Sequence, residues 1–136
     1  MSLMQAHSHP DPDAATLEAI AHDAFARIPQ PFAAHLHDIL VRIEDFADQE
    51  TLGALGIDNA WGLSGLYQGH PLDQQSIWSS GTLPPVITLY RMPIIAEWRQ
   101  TGAELQRLVA HIVIHEVGHH FGFSDADMEA LEMQAR

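Results

Sequence analysis

Apolar residues near the N-terminus recur every three or four positions, which is the spacing of one face of an α-helix. They are Leu17, Ile20, Ala21, Ala24, Phe25 and Ile28. The pattern predicts a helix over about residues 13–28, because Pro29 cannot continue one. Residues 1–12 are polar and lack this period, so we expect a disordered N-terminus followed by a single domain over residues 13–136.

Three short segments in the middle of the chain favour β-strands, because they are rich in β-branched and aromatic residues. They are residues 39–44, 62–68 and 86–91. Residues 31–38 are predicted to form a short helical turn, and residues 73–85, with their serine, glycine and prolines, a loop. The predicted order is one helix, three strands and then a long second helix.

The second helix is predicted to span about 20 residues. Thr101 and Glu104 have the spacing of a capping box at its start, and Gly122 is a natural stop at its end. Apolar residues between these points lie on nearly every side, which indicates a central, buried helix. Four of the five polar exceptions late in the helix cluster on one side, as one wall of a cleft would. The five are His111, His115, Glu116, His119 and His120.

Residues 115–125 contain the pattern His-Glu-x-x-His-x-x-Gly-x-x-Asp, which can build a catalytic zinc site. Positions four apart lie on one face of a helix, so His115 and His119 can direct their imidazoles at a single ion. Glu116 projects about 100° around the helix, where it can act as a general base without being a ligand. With Asp or His allowed at the last position, the chain's composition gives this pattern by accident in roughly 4 of 10,000 shuffled sequences, so it is strong evidence.

A third ligand is expected from the chain beyond the helix. Gly122 can adopt the left-handed conformation that ends a helix, turning the chain back so that Asp125 supplies this ligand. Asp127 is the nearest substitute, because Ser124 or Asp125 could instead cap a short C-terminal helix. His111 is expected either to contact the ligands from outside or to lie in the cleft wall, since three histidines in one straight row do not easily converge on one tetrahedral ion.

The composition narrows the range of functions. The 136 residues, of which 46% are hydrophobic, suffice for one domain with a core. The chain has no cysteine, so disulfides and thiolate zinc ligands are excluded. Its net charge of −12 repels phosphate backbones and disfavours a nucleic-acid partner. There is neither an apolar stretch of membrane-spanning length nor a signal-peptide pattern, so we expect a cytoplasmic setting and no membrane partner.

Three segments resemble the small bacterial zincin-like metallopeptidases. They are residues 65–69, residues 87–91 and residues 115–122. The resemblance covers most of the chain after about Pro29. It implies an α+β class and a minimal zincin-like fold. In that fold a small mixed sheet of three or four strands packs on the central motif helix and the N-terminal helix.

The resemblance also implies a ligand set. One Zn²⁺ per chain would be bound by the residues matching His115, His119 and Asp125, with Glu116 as the catalytic residue. The metzincin proteases are more distant relatives and usually have histidine at the position of Asp125. Met128 and Met133 follow the motif, but too little chain remains after it for either to be assigned to the Met-turn of that group.

The favoured function is zinc-dependent hydrolysis of a peptide or protein substrate. Zinc would polarise the scissile carbonyl and acidify a bound water, whose proton Glu116 would take and later pass to the leaving amine. An extended substrate is expected to pair with a sheet edge at strand 86–91, with Pro93 marking the end of pairing. An oxyanion donor is expected among Tyr67, Tyr90, Arg91, His111 and His120.

Two other functions compete with the peptidase. A non-catalytic zinc-binding adaptor fits the small size, which leaves little wall for a deep substrate cleft. A metal-dependent ribonuclease is the weaker alternative. A bacterial RNA-processing family has similar His, His and Gly spacing, but it lacks the adjacent glutamate and has histidine where Asp125 stands. The acidic surface also suits RNA poorly.

Overall fold

The computed structural model describes residues 10–69 and 84–134. Within these ranges, five α-helices accompany one three-stranded mixed sheet, which confirms the expected α+β class. The helices are α1 (Ala14–Ala26), α2 (Gln49–Leu55), α3 (Arg91–Thr101), α4 (Leu105–Phe121) and α5 (Asp125–Gln134). The strands are β1 (Leu40–Glu44), β2 (Gly65–Gln68) and β3 (Val86–Tyr90). Single turns of 3-10 helix cover Phe32–His35 and Ala60–Gly62.

Strand β3 lies in the middle of the sheet, parallel to β1 and antiparallel to β2. Its central position explains its composition, because Ile87 and Leu89 are completely buried. The expectation that a substrate pairs with this strand is wrong, since both of its sides already carry a neighbour. Pro93 does not mark the end of such pairing either, because it lies buried in α3.

Helix α4 is the central helix, as its apolar sides predict. Its residues share one hydrophobic core with residues of α1, the sheet and α5. Val109, Val113 and Val117 are fully buried in it, as is Leu17 of α1. Burying an aliphatic side chain stabilises the folded state by about 1.5–3 kcal/mol. The contacts of α4 therefore stabilise the packing of α1, the sheet and α5 against it. The prediction of a central motif helix packed on an N-terminal helix is thereby confirmed.

The motif helix is shorter than predicted, because the capping box at Thr101 and Glu104 does not form. Thr101 is instead the last residue of α3, where its hydroxyl donates to the carbonyl of Glu97 at 2.8 Å. Helix α4 begins at Leu105, after Glu104, which makes no side-chain capping bond, and it is 17 residues long. Helix α4 is therefore preceded by a second helix, α3, and three residues, 102–104, separate the two.

Two residues that precede α1 contact arginines of α3. Pro12 is buried and its carbonyl accepts a hydrogen bond from Arg91 Nε at 2.7 Å, while Asp11 forms an ion pair with Arg99. Residues 10–12 belong to the segment expected to be disordered. The rest of that segment, and residues 73–83 of the predicted loop, lie outside the described residues. No helix in the described ranges is long and apolar enough to cross a lipid bilayer.

Candidate metal centre

Two glycines let the neighbouring elements approach the motif helix closely. At Gly65 of β2, an added Cβ would lie 2.6 Å from Ile112 Cγ2 and 3.6 Å from Glu116 Cγ. At Gly118 of α4, an added Cβ would overlap the side chain of Met128 in α5. Any larger residue at either position would force the elements apart. Helix α4 is therefore held between β2 on one flank and α5 on the other.

His115 and His119 lie on adjacent turns of α4. Their ring centroids are 5.4 Å apart, and the ring planes meet at 76°. Their side chains are 44% and 48% exposed, so both imidazoles reach solvent. Two accessible imidazoles one turn apart are a donor pair that suits a zinc ion.

Glu116 lies beside this pair but is buried, with its side chain 10% exposed. Its Oε1 accepts a hydrogen bond from the backbone N–H of Tyr67 at 2.8 Å and lies 3.1 Å from Nδ1 of His119. Its Oε2 lies 3.8 Å from Nδ1 of His115. These polar neighbours offset the free energy that burial of a carboxylate would otherwise cost. The carboxylate is thus held next to both imidazoles.

The helix ends at Gly122, as the sequence predicts. This residue is left-handed, with φ of 72°, and the N–H of Phe123 donates to the carbonyl of Gly118 at 2.8 Å. The chain then turns back, and α5 begins at Asp125. Asp125 and His115 line the same cavity of about 470 Å³. Among the described residues, however, no three His, Asp or Glu side chains come together closely enough to hold a metal ion. The complete ligand set therefore stays a prediction.

Asp127, the substitute third ligand, has another partner. The N–H of Ser124 donates to Asp127 Oδ2 at 3.3 Å, and the N–H of Asp127 donates to Ser124 Oγ at 3.2 Å. This reciprocal pair caps the start of α5. Of the two aspartates, Asp125 is the one that lines the cavity beside His115.

His111 lines that cavity too, one turn before His115. Its Nδ1 lies 2.8 Å from Oε1 of Glu132, so the pair joins α4 to α5. This contact places His111 in the wall beside the predicted ligands.

Two of the predicted oxyanion donors have other surroundings. Tyr90 is buried in a small apolar cluster with Ala47 and Leu52. Arg91 is bound to the Pro12 carbonyl and lies 3.4 Å from Asp45. Neither interaction involves a motif residue.

Tyr67 and His120 form a pair beside Glu116 instead. The Tyr67 hydroxyl lies 2.9 Å from Nδ1 of His120, and the two rings meet edge to face. Burial lowers the pKa of His120, an effect that the nearby backbone of His35 partly offsets, and burial raises the pKa of Tyr67. Both groups are therefore uncharged at neutral pH.

The bond from Tyr67 to Glu116 could not be found from the sequence. The two residues lie 49 positions apart, and the bond uses a backbone N–H, which every residue except proline carries. Only the packing of β2 against α4 brings them together.

The chain matches a known protein family over most of its length. The profile of the zincin-like metallopeptidase family matches residues 36–135. The match runs from the end of the first 3-10 turn through the sheet and the motif helix to α5, and it leaves out α1. A search of curated proteins finds no match.

Proposed function

Because the chain belongs to the zincin-like metallopeptidase family, we propose that it is a zinc-dependent hydrolase that cleaves peptide bonds in peptides or proteins. One observation carries the proposal beyond family membership. The buried carboxylate of Glu116 lies within 4 Å of two accessible imidazoles, those of His115 and His119. Two imidazoles with an adjacent carboxylate are the groups that metal-assisted peptide hydrolysis requires.

We assign His115, His119 and Asp125 as the ligands of one zinc ion per chain. The imidazole pair fits zinc because both rings are accessible and lie on adjacent turns of one helix. Asp125 is favoured as the third ligand because it lines the cavity beside His115, whereas Asp127 caps α5. It is an exposed residue in the first turn of α5, so its side chain is not fixed by packing.

Glu116 is proposed as the general base. Zinc, when bound, supplies a Lewis acid that polarises the scissile carbonyl and makes the attacking water more acidic. Glu116 takes the proton from this water and later gives it to the leaving amine. The N–H of Tyr67 holds the carboxylate in place, so little motion is needed before the proton transfer.

An extended substrate would lie along β2. Within the described sheet, this strand pairs with β3 on one side only. The N–H of Tyr67 donates to Glu116, so the side of β2 that lies away from β3 faces the proposed catalytic carboxylate. A peptide added here would pass its main chain along the imidazole pair.

Metal analysis combined with a broad peptide library tests the proposal. Protein purified without added zinc should hold about one zinc per chain, and His115→Ala and His119→Ala should lose it. His37→Ala is the matched control, because His37 is exposed and contacts Asp38, outside the motif. Full zinc content in both site variants would overturn the metal assignment. If the zinc-loaded wild type cuts no peptide, the peptidase function is wrong and the adaptor function is favoured.

The third ligand is tested by comparing two neighbouring aspartates. Asp125→Ala should weaken zinc binding by more than the roughly 10–100-fold that loss of an outer hydrogen-bond partner produces. Asp127→Ala should leave zinc affinity nearly unchanged and lower the free energy of unfolding, because it removes the cap of α5. Competition with a fluorescent chelator measures the first effect and urea unfolding the second. Equal zinc affinity of Asp125→Ala and wild type would remove Asp125 from the ligand set.

A further inference from the structure

His120 belongs to the motif segment but has no part in the function proposed above. It is 3% exposed, and its Nδ1 contacts the Tyr67 hydroxyl at 2.9 Å. Its Nε2 has no hydrogen-bond partner among the residues that the structure describes, although the backbone of His35 lies nearby. Burying an imidazole with one unsatisfied nitrogen costs free energy. The contact of Nδ1 with the Tyr67 hydroxyl is therefore important for holding the buried ring.

Tyr67 connects His120 to Glu116. Its backbone N–H donates to Glu116 Oε1 at 2.8 Å, while its hydroxyl reaches His120. Glu116 and His120 are four residues apart and so lie on the same face of α4. One tyrosine spans both of them, with its main chain on one and its side chain on the other.

The Tyr67 hydroxyl has little free space on the side of Gly69. At Gly69, just after β2, an added Cβ would lie 2.9 Å from the Tyr67 hydroxyl. Strand β2 is only four residues long and pairs with β3 alone within the described sheet. The contact of the Tyr67 side chain with His120 therefore adds a second attachment between β2 and α4, beside the bond of its main chain to Glu116.

We propose that His120 is a positioning residue for Glu116, acting through the Tyr67 hydroxyl. The imidazole holds the tyrosine side chain, and the tyrosine main chain then presents its N–H to the catalytic carboxylate. This inference rests on the proposed role of Glu116 as general base.

Two substitutions of His120 separate this role from simple packing. Asparagine places its amide close to the position of Nδ1, so His120→Asn keeps a group that can bond the Tyr67 hydroxyl. Glutamine places its amide near the position of Nε2, and leucine has no polar group. His120→Gln and His120→Leu therefore remove the bond while filling the site.

The first readout is the NMR resonance of the backbone amide at position 67, which needs no enzymatic activity. A charged acceptor strengthens the hydrogen bond of this amide, so its proton should lie downfield and move upfield in Glu116→Gln. We expect His120→Leu, His120→Gln and Tyr67→Phe to move it in the same direction, and His120→Asn to leave it near the wild-type position. An unchanged resonance in His120→Leu and Tyr67→Phe would overturn the proposal.

The second readout is kinetic. His120→Leu and Tyr67→Phe should each lower kcat on the order of ten-fold, because a misplaced catalytic group reacts poorly, while KM and zinc content stay unchanged. The double variant should be no worse than either single variant, since both break one chain of contacts. His120→Asn should recover most of kcat. Tyr90→Phe is the matched control, because Tyr90 is a buried tyrosine in the other apolar cluster.

Equal losses in His120→Asn and His120→Leu would reduce His120 to a packing residue and overturn the proposal. A loss of kcat in Tyr67→Phe without any change at the position 67 amide would also overturn it, and would give the hydroxyl a direct role in the reaction. If the wild type cuts no peptide, the proposed function fails. The amide resonance then still decides whether His120 positions Glu116.

Discussion

Gly65 shows how a single residue sets the geometry of the site. An added Cβ would lie 2.6 Å from Cγ2 of Ile112, which is itself buried and has little room to move. The close approach at this point lets β2 lie against α4, two residues before the N–H that binds Glu116. The lack of a side chain at Gly65 therefore helps to position the carboxylate of Glu116.

Gly65→Ala should lower the free energy of unfolding by about 1–3 kcal/mol, because overpacking a core forces its neighbours from their positions. Urea unfolding measures the change. Gly53→Ala is the matched control, since an added Cβ there meets nothing within 4 Å and the residue lies within α2. This control should be neutral or stabilising by up to about 1 kcal/mol. Wild-type stability of Gly65→Ala would contradict the described packing.

At the scale of elements, the starts of two helices depend on aspartate caps. Asp13 accepts a hydrogen bond from the N–H of Thr16 at 2.8 Å, and Asp48 accepts one from Thr51 at 2.7 Å. These bonds lower the pKa of both carboxyl groups. Since the folded pKa lies below the unfolded value, the capping stability is present above about pH 4 and is lost as the pH falls through the folded pKa.

Replacement of Asp48 tests this pH dependence. Asp48→Ala should be less stable than wild type at pH 7, and the difference should narrow below pH 4, because the wild-type cap becomes protonated there. Asp48→Asn keeps a capping side chain that does not titrate, so it should stay close to wild type at pH 7. Thermal unfolding followed by circular dichroism across this range checks both. A difference that is independent of pH would show that the charge of Asp48 does not contribute.

Helices α2 and α3, which the hydrophobic pattern does not predict, lack strong local signals. Helix α2 has seven residues, too few to show a clear helical period. Helix α3 follows β3 directly and has no side-chain cap at its start. Thr101 and Glu104 have the spacing of a capping box, yet Thr101 bonds backward to Glu97 within α3. The two long helices and the three strands were predictable because their hydrophobic periods are clear.

On the scale of the whole molecule, what could be predicted depends on sequence distance. The proximity of His115, Glu116 and His119 follows from local spacing, whereas the α+β class is implied by the family resemblance. The central place of β3 and the link from Tyr67 to Glu116 depend on contacts between distant segments, and the strand patterns of a single sequence do not specify pairing. The return of the chain after Gly122 was predictable, but the placement of Asp125 relative to both histidines depends on how α5 packs.

The shared core also links metal binding to the stability of the whole chain. Zinc bound to the folded protein alone should stabilise it by about 2.7 kcal/mol when free zinc is 100 times Kd. Thermal unfolding should therefore shift to lower temperature when a chelator is added, and His119→Ala should show no such shift. His22→Ala, an exposed substitution on α1, should behave as wild type. A melting temperature that does not respond to chelator or zinc would contradict metal binding.

The most direct test of the central claim is peptide cleavage by Glu116→Gln, with zinc content measured in the same samples. Glutamine has nearly the same shape and can still accept the bond from Tyr67, but it cannot take the proton from water. The proposed mechanism predicts unchanged zinc content and a loss of kcat/KM on the order of 10²–10⁴-fold. Cleavage at the wild-type rate by a zinc-loaded Glu116→Gln protein would contradict it.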